Sequence, residues 1–413
     1  MKKYLTLIFL LFLFVFTLSS CGGNGAAKFT YDRVDGGYAI TCVNTNGNKD
    51  IVFPATYKGE AVVRIGDNVG QSLGELNAVV VSEGIREIGD KFLSGDKPIK
   101  QLTLPGTLTK IGTEFLGNML VEEIIMSEGD GAYVTKDGIM YSSDYATLVR
   151  YPSGKKDVFF IVPSGVEKIG KYAFMGSSYV QSVSLSTDTR EIEDHAFENS
   201  KIKVLNTEGV RVFGNAVFSG CSFNSLSINS YEIVGEMFTD CDVKNLNLGS
   251  YVENIDKSAF SHLYNLSEIN VSDSNEKYRS FNGHLTTTDK KTLLLYVAGQ
   301  NPNIYNIPYG IEVIDEYACS ERYRATRITI PETVRVIKAN AFRDCANLKD
   351  VYIGINVMKI EAYAFYGCVS LSSATFAYPD YWHLGGTPYN VGNPANNAIM
   401  LMQLNRVLSQ YKD

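Results

Sequence analysis

Apolar and polar residues alternate over short stretches of this chain, and the alternation keeps returning. Leu102 and Leu104 flank Thr103, Pro105 follows, and a second apolar pair, Leu108 and Ile111, comes next. Such alternation predicts a half-buried strand, with Leu102 and Leu104 facing inward and Thr103 outward. The same order recurs in Ile328–Ile330 with Pro331, Val334 and Ile337, and in Val351–Ile353 with Val357 and Ile360. About five residues beyond the last apolar position stands an aromatic, often after alanine: Ala173-Phe174, Ala196-Phe197, Ala259-Phe260, Ala341-Phe342 and Ala364-Phe365.

Anchoring each copy on the apolar residue before that turn gives Ile65, Ile88, Ile111, Ile169, Ile192, Phe213, Ile233, Ile255, Ile314, Ile337 and Ile360. Successive spacings are 23, 23, 58, 23, 21, 20, 22, 59, 23 and 23. A fixed period of this size marks a solenoid, in which each unit buries its apolar face against the next. The expected architecture is an α/β solenoid. Its strands stack into a parallel sheet, and each Ala-Phe segment makes a short helical turn. The two long intervals share a pattern at an offset of 145: Tyr133, Asp137-Gly138, Asp144 and Tyr151 return as Tyr278, Asn282-Gly283, Asp289 and Tyr296. Asp-Gly and Asn-Gly between apolar runs signal hairpins. β-Hairpin insertions are therefore expected near 127–160 and 272–305, either patching the stack or serving as binding lobes.

The ends read differently. Lys2 and Lys3 precede an apolar run, Tyr4 to Thr17, of signal-peptide length. Leu18-Ser19-Ser20-Cys21 closes it and resembles the bacterial lipoprotein box, which implies cleavage after residue 20 and lipidation of Cys21. Residues 21–28 form a glycine-rich tether and 29–61 a β-rich N-terminal cap, with the solenoid over 62–376. In the C-terminal cap, 377–413, Asn393-Pro394 reads as a helix start, and Leu401, Leu404, Leu408 and Tyr411 as one helical stripe. Tyr378, Tyr381, Trp382 and Tyr389 fill the cap's core or form a surface aromatic patch.

Charge alters the picture in one respect. The whole chain carries −7; without Lys2 and Lys3 it has 36 basic against 45 acidic residues, hence −9. No basic stripe is available for phosphates, so a nucleic-acid partner is not expected. Catalytic chemistry finds little support. His195, His262, His284 and His383 belong to no metal or nucleophile motif, Glu122-Glu123 has no acid–base partner, and no glycine-rich phosphate loop occurs. No catalytic residue, metal site or cofactor is expected. Cys221, Cys241, Cys345 and Cys368 each stand eight residues past an anchor. Two short ladders follow, either disulfide-bonded or buried as small apolar thiols.

Ile330-Pro331, Val334-Arg335-Val336-Ile337, Ala341-Phe342 and Cys345 together resemble the BspA-like leucine-rich repeats, as do Pro163, Val166 to Gly170 and Ala173-Phe174. The resemblance spans about residues 50–375. It implies a β-rich leucine-rich repeat stack on a bacterial surface or secreted protein that binds other proteins, often a host or matrix component. With the lipid anchor, the expected setting is the cell envelope at the outer membrane, facing outward or into the periplasm. Aligned outward residues such as Gln101 and Thr103, Ser182 and Ser184, and Asn245 and Asn247 would make an extended binding face. The candidate ligand-binding residues are Arg327, Thr329, Lys349, Asp350 and Tyr352, because Arg and Tyr are enriched at binding hot spots. A carbohydrate-binding or glycan-uptake role is the alternative, favoured if the Tyr378–Tyr389 aromatics are exposed.

Overall fold

The computed structural model describes residues 26–70, 73–95, 97–117, 119–256, 258–260, 263–297 and 303–411. Cys21 and the leader lie outside them. The described chain winds as a β-solenoid with two strands per rung, one longer and one of mostly two residues.

The longer strands pair in parallel. Asp50–Phe53, Leu76–Val81, Ile99–Leu104 and Val121–Met126 form the first group, with Ile51, Val79, Leu102 and Ile124 in register. All four of these side chains are buried. The short strands stack just as regularly. Ile40, Ile65, Ile88 and Ile111 are cross-strand partners. So are Leu148, Ile169, Ile192 and Phe213; Ile233 and Ile255; and Leu293, Ile314, Ile337 and Ile360. Every residue chosen as an anchor from the sequence lies on one of these ladders. Their close stacking leaves no room beside some of them: a Cβ on Gly89, just after Ile88, would lie 2.1 Å from the Asp67 carboxylate.

On the third side, aromatics of successive rungs lie over one another in runs. The Phe174 and Phe197 rings are 5.0 Å apart and nearly parallel, and Phe342 and Phe365 are 4.9 Å apart. Reversal there uses i→i+3 bonds such as Met175 N–H to Tyr172 O. Buried thiols help to close it. Cys221, Cys345 and Cys368 donate to Phe197 O, Cys319 O and Phe342 O of the preceding rung at 2.9, 3.1 and 3.1 Å. All four ladder cysteines are free, as is Cys319, which occupies the place that Phe342 holds one rung on.

The long intervals have a defined anatomy. Leu148 divides 58 into 37 and 21, and Leu293 divides 59 into 38 and 21, so each interval holds one additional rung. Tyr133–Lys136 and Ile139–Ser142 pair antiparallel, as do Tyr278–Phe281 and His284–Thr287. Each second strand continues antiparallel onto the strand bearing the additional rung. The glycine of each turn caps the preceding long strand, Gly138 O accepting from Ile124 N and Gly283 O from Ile269 N. Apolar burial divides at the same places, into cores spanning Ile40–Met140, Ile139–Val297 and Leu293–Leu408.

Two expectations are corrected. The α/β label gives way to β, because the described residues contain one helix, Pro394–Met402; the Ala-Phe turns are too short to propagate one. The helical stripe also breaks. Asn393 caps the helix and Pro394 opens it, but Leu408 lies in a strand, Leu408–Gln410, paired antiparallel with Lys359–Ile360 and Trp382–Leu384. Leu408 thereby continues the short-strand ladder from Ile360 to Leu384, a place that a continued helix could not reach.

Candidate functional site

Outward positions of the long strands form the face expected to bind. Arg327, Asp350 and Ser373 lie side by side, as do Thr329, Tyr352 and Thr375. Arg327 Nη2 lies 3.7 Å from Asp350 Oδ2, both side chains being largely exposed. An exposed pair of this kind contributes little to stability, and it sets the cluster's carboxylate against its guanidinium. Tyr352 is 45% exposed, Thr329 is half-buried, and Lys349 is exposed just before its strand. The structure thus places all five candidate residues on neighbouring rungs of one surface.

The middle of the same face offers a different surface. Phe159, Ser182 and Val204 are partners across three strands, and Ile161, Ser184 and Asn206 form the next row. Phe159, Ile161 and Val204 are 54, 60 and 61% exposed. Beyond them runs a polar ladder: Asn247 Nδ2 donates to Ser225 Oγ at 3.0 Å, and Asn270 Nδ2 to Asn247 Oδ1 at 3.3 Å. Phe159, Val204 and this ladder line a shallow groove of about 1090 Å³, with Ile161 outside its lining. The alternation rule identifies Ser182 and Asn247. It misses Phe159 and Ile161, because Val158-Phe159-Phe160-Ile161 is apolar throughout and follows an insertion.

A second depression, about 880 Å³, opens on the turn side where the first long interval interrupts the rungs. In a regular rung the stacked aromatic follows the anchor by five residues, as Phe174 follows Ile169. Tyr151 follows Leu148 by three and still stacks on Phe174 at 5.0 Å. The shortened rung has no projecting turn, so a notch separates the turns at Glu114 and Tyr172. Tyr172 and His195 stack at 4.8 Å with 4° between their planes, both in the left-handed region. His195 Nδ1 is 2.7 Å from Glu198 and Lys91 Nζ is 3.1 Å from Glu114. Burial and the Glu114 carboxylate push the Tyr172 hydroxyl up to about 12. Beneath lies Arg150, buried, donating to carbonyls of both walls: Tyr172 O, Gly117 O and Met175 O. Burial pulls the Arg150 guanidinium down to about 10. No sequence signal announces this notch, because its walls are 58 residues apart along the chain.

The four aromatics of the Tyr378–Tyr389 region divide: Tyr378 and Tyr389 are half-buried. Trp382 is buried and donates its indole N–H to Tyr378 O at 2.9 Å, while Tyr381 is 60% exposed. Among the described residues no three His, Cys, Asp or Glu side chains are placed to hold a metal ion, and no helix is long and apolar enough to cross a membrane.

Solved structures of similar chains are bacterial. A leucine-rich cell surface protein from Faecalibacterium prausnitzii is 19% identical, with 86% of this chain and 87% of that one covered and a TM-score of 0.36. A leucine-rich repeat protein from Bacteroides ovatus is 17% identical over 85% and 93%, with a TM-score of 0.43. The pneumococcal vaccine antigen PcpA is 16% identical over 86% and 81%, with a TM-score of 0.32. No curated protein matches the sequence. Residues 46–136, 158–267, 201–284 and 300–380 match the BspA type leucine rich repeat region, in six copies. These spans take in well over half of the chain, and the chain belongs to the BspA-type leucine-rich repeat family.

Proposed function

We propose that this chain is a noncatalytic, lipid-anchored protein of the bacterial cell envelope that binds a polypeptide, in adhesion or host contact, through the outward face of its long strands. The observation that carries the reading is the groove lined by Phe159 and Val204. Apolar side chains exposed in a row, beside an ordered ladder of amides and hydroxyls, suit an extended polypeptide. Its side chains would bury against Phe159 and Val204, while its backbone groups meet Asn247 and Ser225. The strands are already fixed, so little conformational entropy is lost on binding. Arg327, Thr329, Lys349, Asp350 and Tyr352 extend the same face toward the C-terminus. Cys21 is the lipidated residue in this reading, with the outer membrane as its site.

The test is binding of the chain from Ala26 onward to immobilised fibronectin, fibrinogen, laminin and collagen. Two double variants are compared with wild type: Phe159→Ala with Val204→Ser, and Arg327→Ala with Tyr352→Ala. A tenfold loss of affinity at an unchanged melting temperature locates the contact, and the first pair is expected to show it. If neither pair weakens binding, the face is not the site. Separately, Cys21→Ala should leave the precursor uncleaved or release the protein into the aqueous phase of a detergent partition. Normal partitioning of that variant rules out the anchor.

A further inference from the structure

The notch between the turns at Glu114 and Tyr172 is not a forced product of the fold. The second long interval has the same shortened rung, Leu293 to Tyr296, and an equivalent gap would follow. There the gap is bridged. The Tyr323 and Tyr264 rings meet at 5.6 Å, and Arg324 Nη2 lies 3.4 Å from Asn265 Oδ1. Tyr323 is the 145-residue counterpart of Ser178, which lines the first notch without closing it. The first notch is therefore open through its particular side chains.

Those side chains limit what can enter. An anion would face two carboxylates, Glu114 and Glu198. A cationic side chain would have to displace Lys91 from Glu114 and compete with His195 for Glu198. An aliphatic chain would strand these polar groups without partners, at a cost for each. A neutral, polyhydroxylated ring meets none of these penalties. Each engaged carboxylate keeps lone pairs for hydroxyl donors, and Ser94, Ser178 and Asn199 add donors and acceptors around the rim. Tyr172 stands on the rung next to the missing turn, and its ring, stacked on His195 of the following rung, lines the notch. The weakly positive C–H groups of a pyranose pack against the negative face of such a ring.

We propose that this notch is a binding site for a neutral saccharide, with Tyr172 as the stacking platform and Glu114, Glu198 and Asn199 as hydroxyl partners. Arg150 acts as a positioning residue, tying the Gly117 and Met175 walls together from below. The site is separate from the long-strand face and has a different class of ligand.

The experiment uses the chain from Ala26 onward with four probes, maltotetraose, cellotetraose, mannotetraose and galactotetraose, and sialyllactose as an anionic control. Binding is read by saturation-transfer NMR and by calorimetry. At least one neutral probe is expected to bind with a Kd on the order of 1 mM or tighter. Tyr172→Ala and Glu198→Gln should each weaken it at least tenfold at an unchanged melting temperature, and Tyr172→Phe should weaken it less than Tyr172→Ala. Tyr352→Ala should leave it unchanged, which separates this site from the long-strand face. Glu198→Gln keeps the shape of the wall if the tyrosine variant misfolds. Absence of binding by all four neutral probes, or binding that survives Tyr172→Ala and Glu198→Gln, overturns the proposal. So does preferential binding of sialyllactose.

Discussion

The Asp194 carboxylate accepts the backbone N–H of Asn215 at 2.9 Å, one rung further on, while its other oxygen holds Lys171 at 2.7 Å. Asp67 and Asp90 make the same reach in the first segment, to Asp90 N and Glu114 N. A turn N–H with no strand partner is thus satisfied by the rung before it.

The Lys171 ammonium, then the Asn215 N–H, hold Asp194 below the usual aspartate range. A carboxylate with a lowered folded pKa stabilises the fold above its ordinary value, 3.8, and that contribution is lost as pH falls through the folded value. Asp194→Asn should therefore lower the melting temperature at pH 7 and differ less from wild type below pH 3.8. A gap that stays constant down to low pH would show that the charge is not involved.

His284 titrates with the opposite chemistry and the same sign. Its Nδ1 accepts the N–H of Val297 at 3.0 Å, and its ring stacks on Tyr296 at 4.3 Å. Burial, with Arg322 adding to it, pulls its pKa from 6.5 to about 4. Between those values the unfolded chain binds the proton and the folded chain does not. Stability is full above pH 6.5 and falls as pH drops toward 4, by up to about 3 kcal/mol. The melt of wild type should shift downward between pH 7 and 4.5, and that of His284→Gln should shift less. Equal shifts would refute the assignment to this histidine.

Ile337 is fully buried between Ile314 and Ile360. Ile337→Asp places an unpaired charge there, at a cost of several kcal/mol. Because rungs contact only their neighbours, the damage should stay local. Hydrogen exchange is expected to accelerate across residues 293–408 and to remain unchanged across 40–140. Uniform acceleration would mean that the three cores unfold as one.

Cys42 is exposed, whereas Cys221, Cys241, Cys319, Cys345 and Cys368 are buried. Burial also pushes the Cys221 thiol up to about 11, away from the reactive thiolate. The folded chain from Ala26 onward should release one equivalent of thionitrobenzoate with Ellman's reagent, and six after denaturation. Additional rapid equivalents in the folded state would place a ladder cysteine at the surface.

The repeat was legible because a buried ladder needs the same apolar residue at the same place in each rung. Ile65, Ile88 and Ile111 show this without any structure. Leu148 and Leu293 escaped notice because the Ala-Phe signal after them is replaced by Tyr151-Pro152 and Tyr296-Val297. Leu401, Leu404 and Leu408 have helical spacing, yet pairing with Ile360 places Leu408 in a strand; local period cannot register a partner 48 residues away. The outward face was legible by alternation, while its apolar centre lay in an unbroken apolar run. The notch was not legible, since it arises from two residues that a turn lacks.

The 145-residue offset extends to individual hydrogen bonds. Tyr151 N meets Ala173 O and Tyr296 N meets Ala318 O; Ala146 N meets Asp144 and Lys291 N meets Asp289. Leu148 and Leu293 are therefore equivalent seams in the backbone pairing, with Arg150 beside one and Leu295 beside the other. A chain cut after Thr147 and spliced to Leu293 would carry the first hairpin directly onto the third core. Each remaining strand would meet a neighbour of the kind it already has. A protein built this way can change its reach by a whole segment without redesigning a single contact inside the segments that remain.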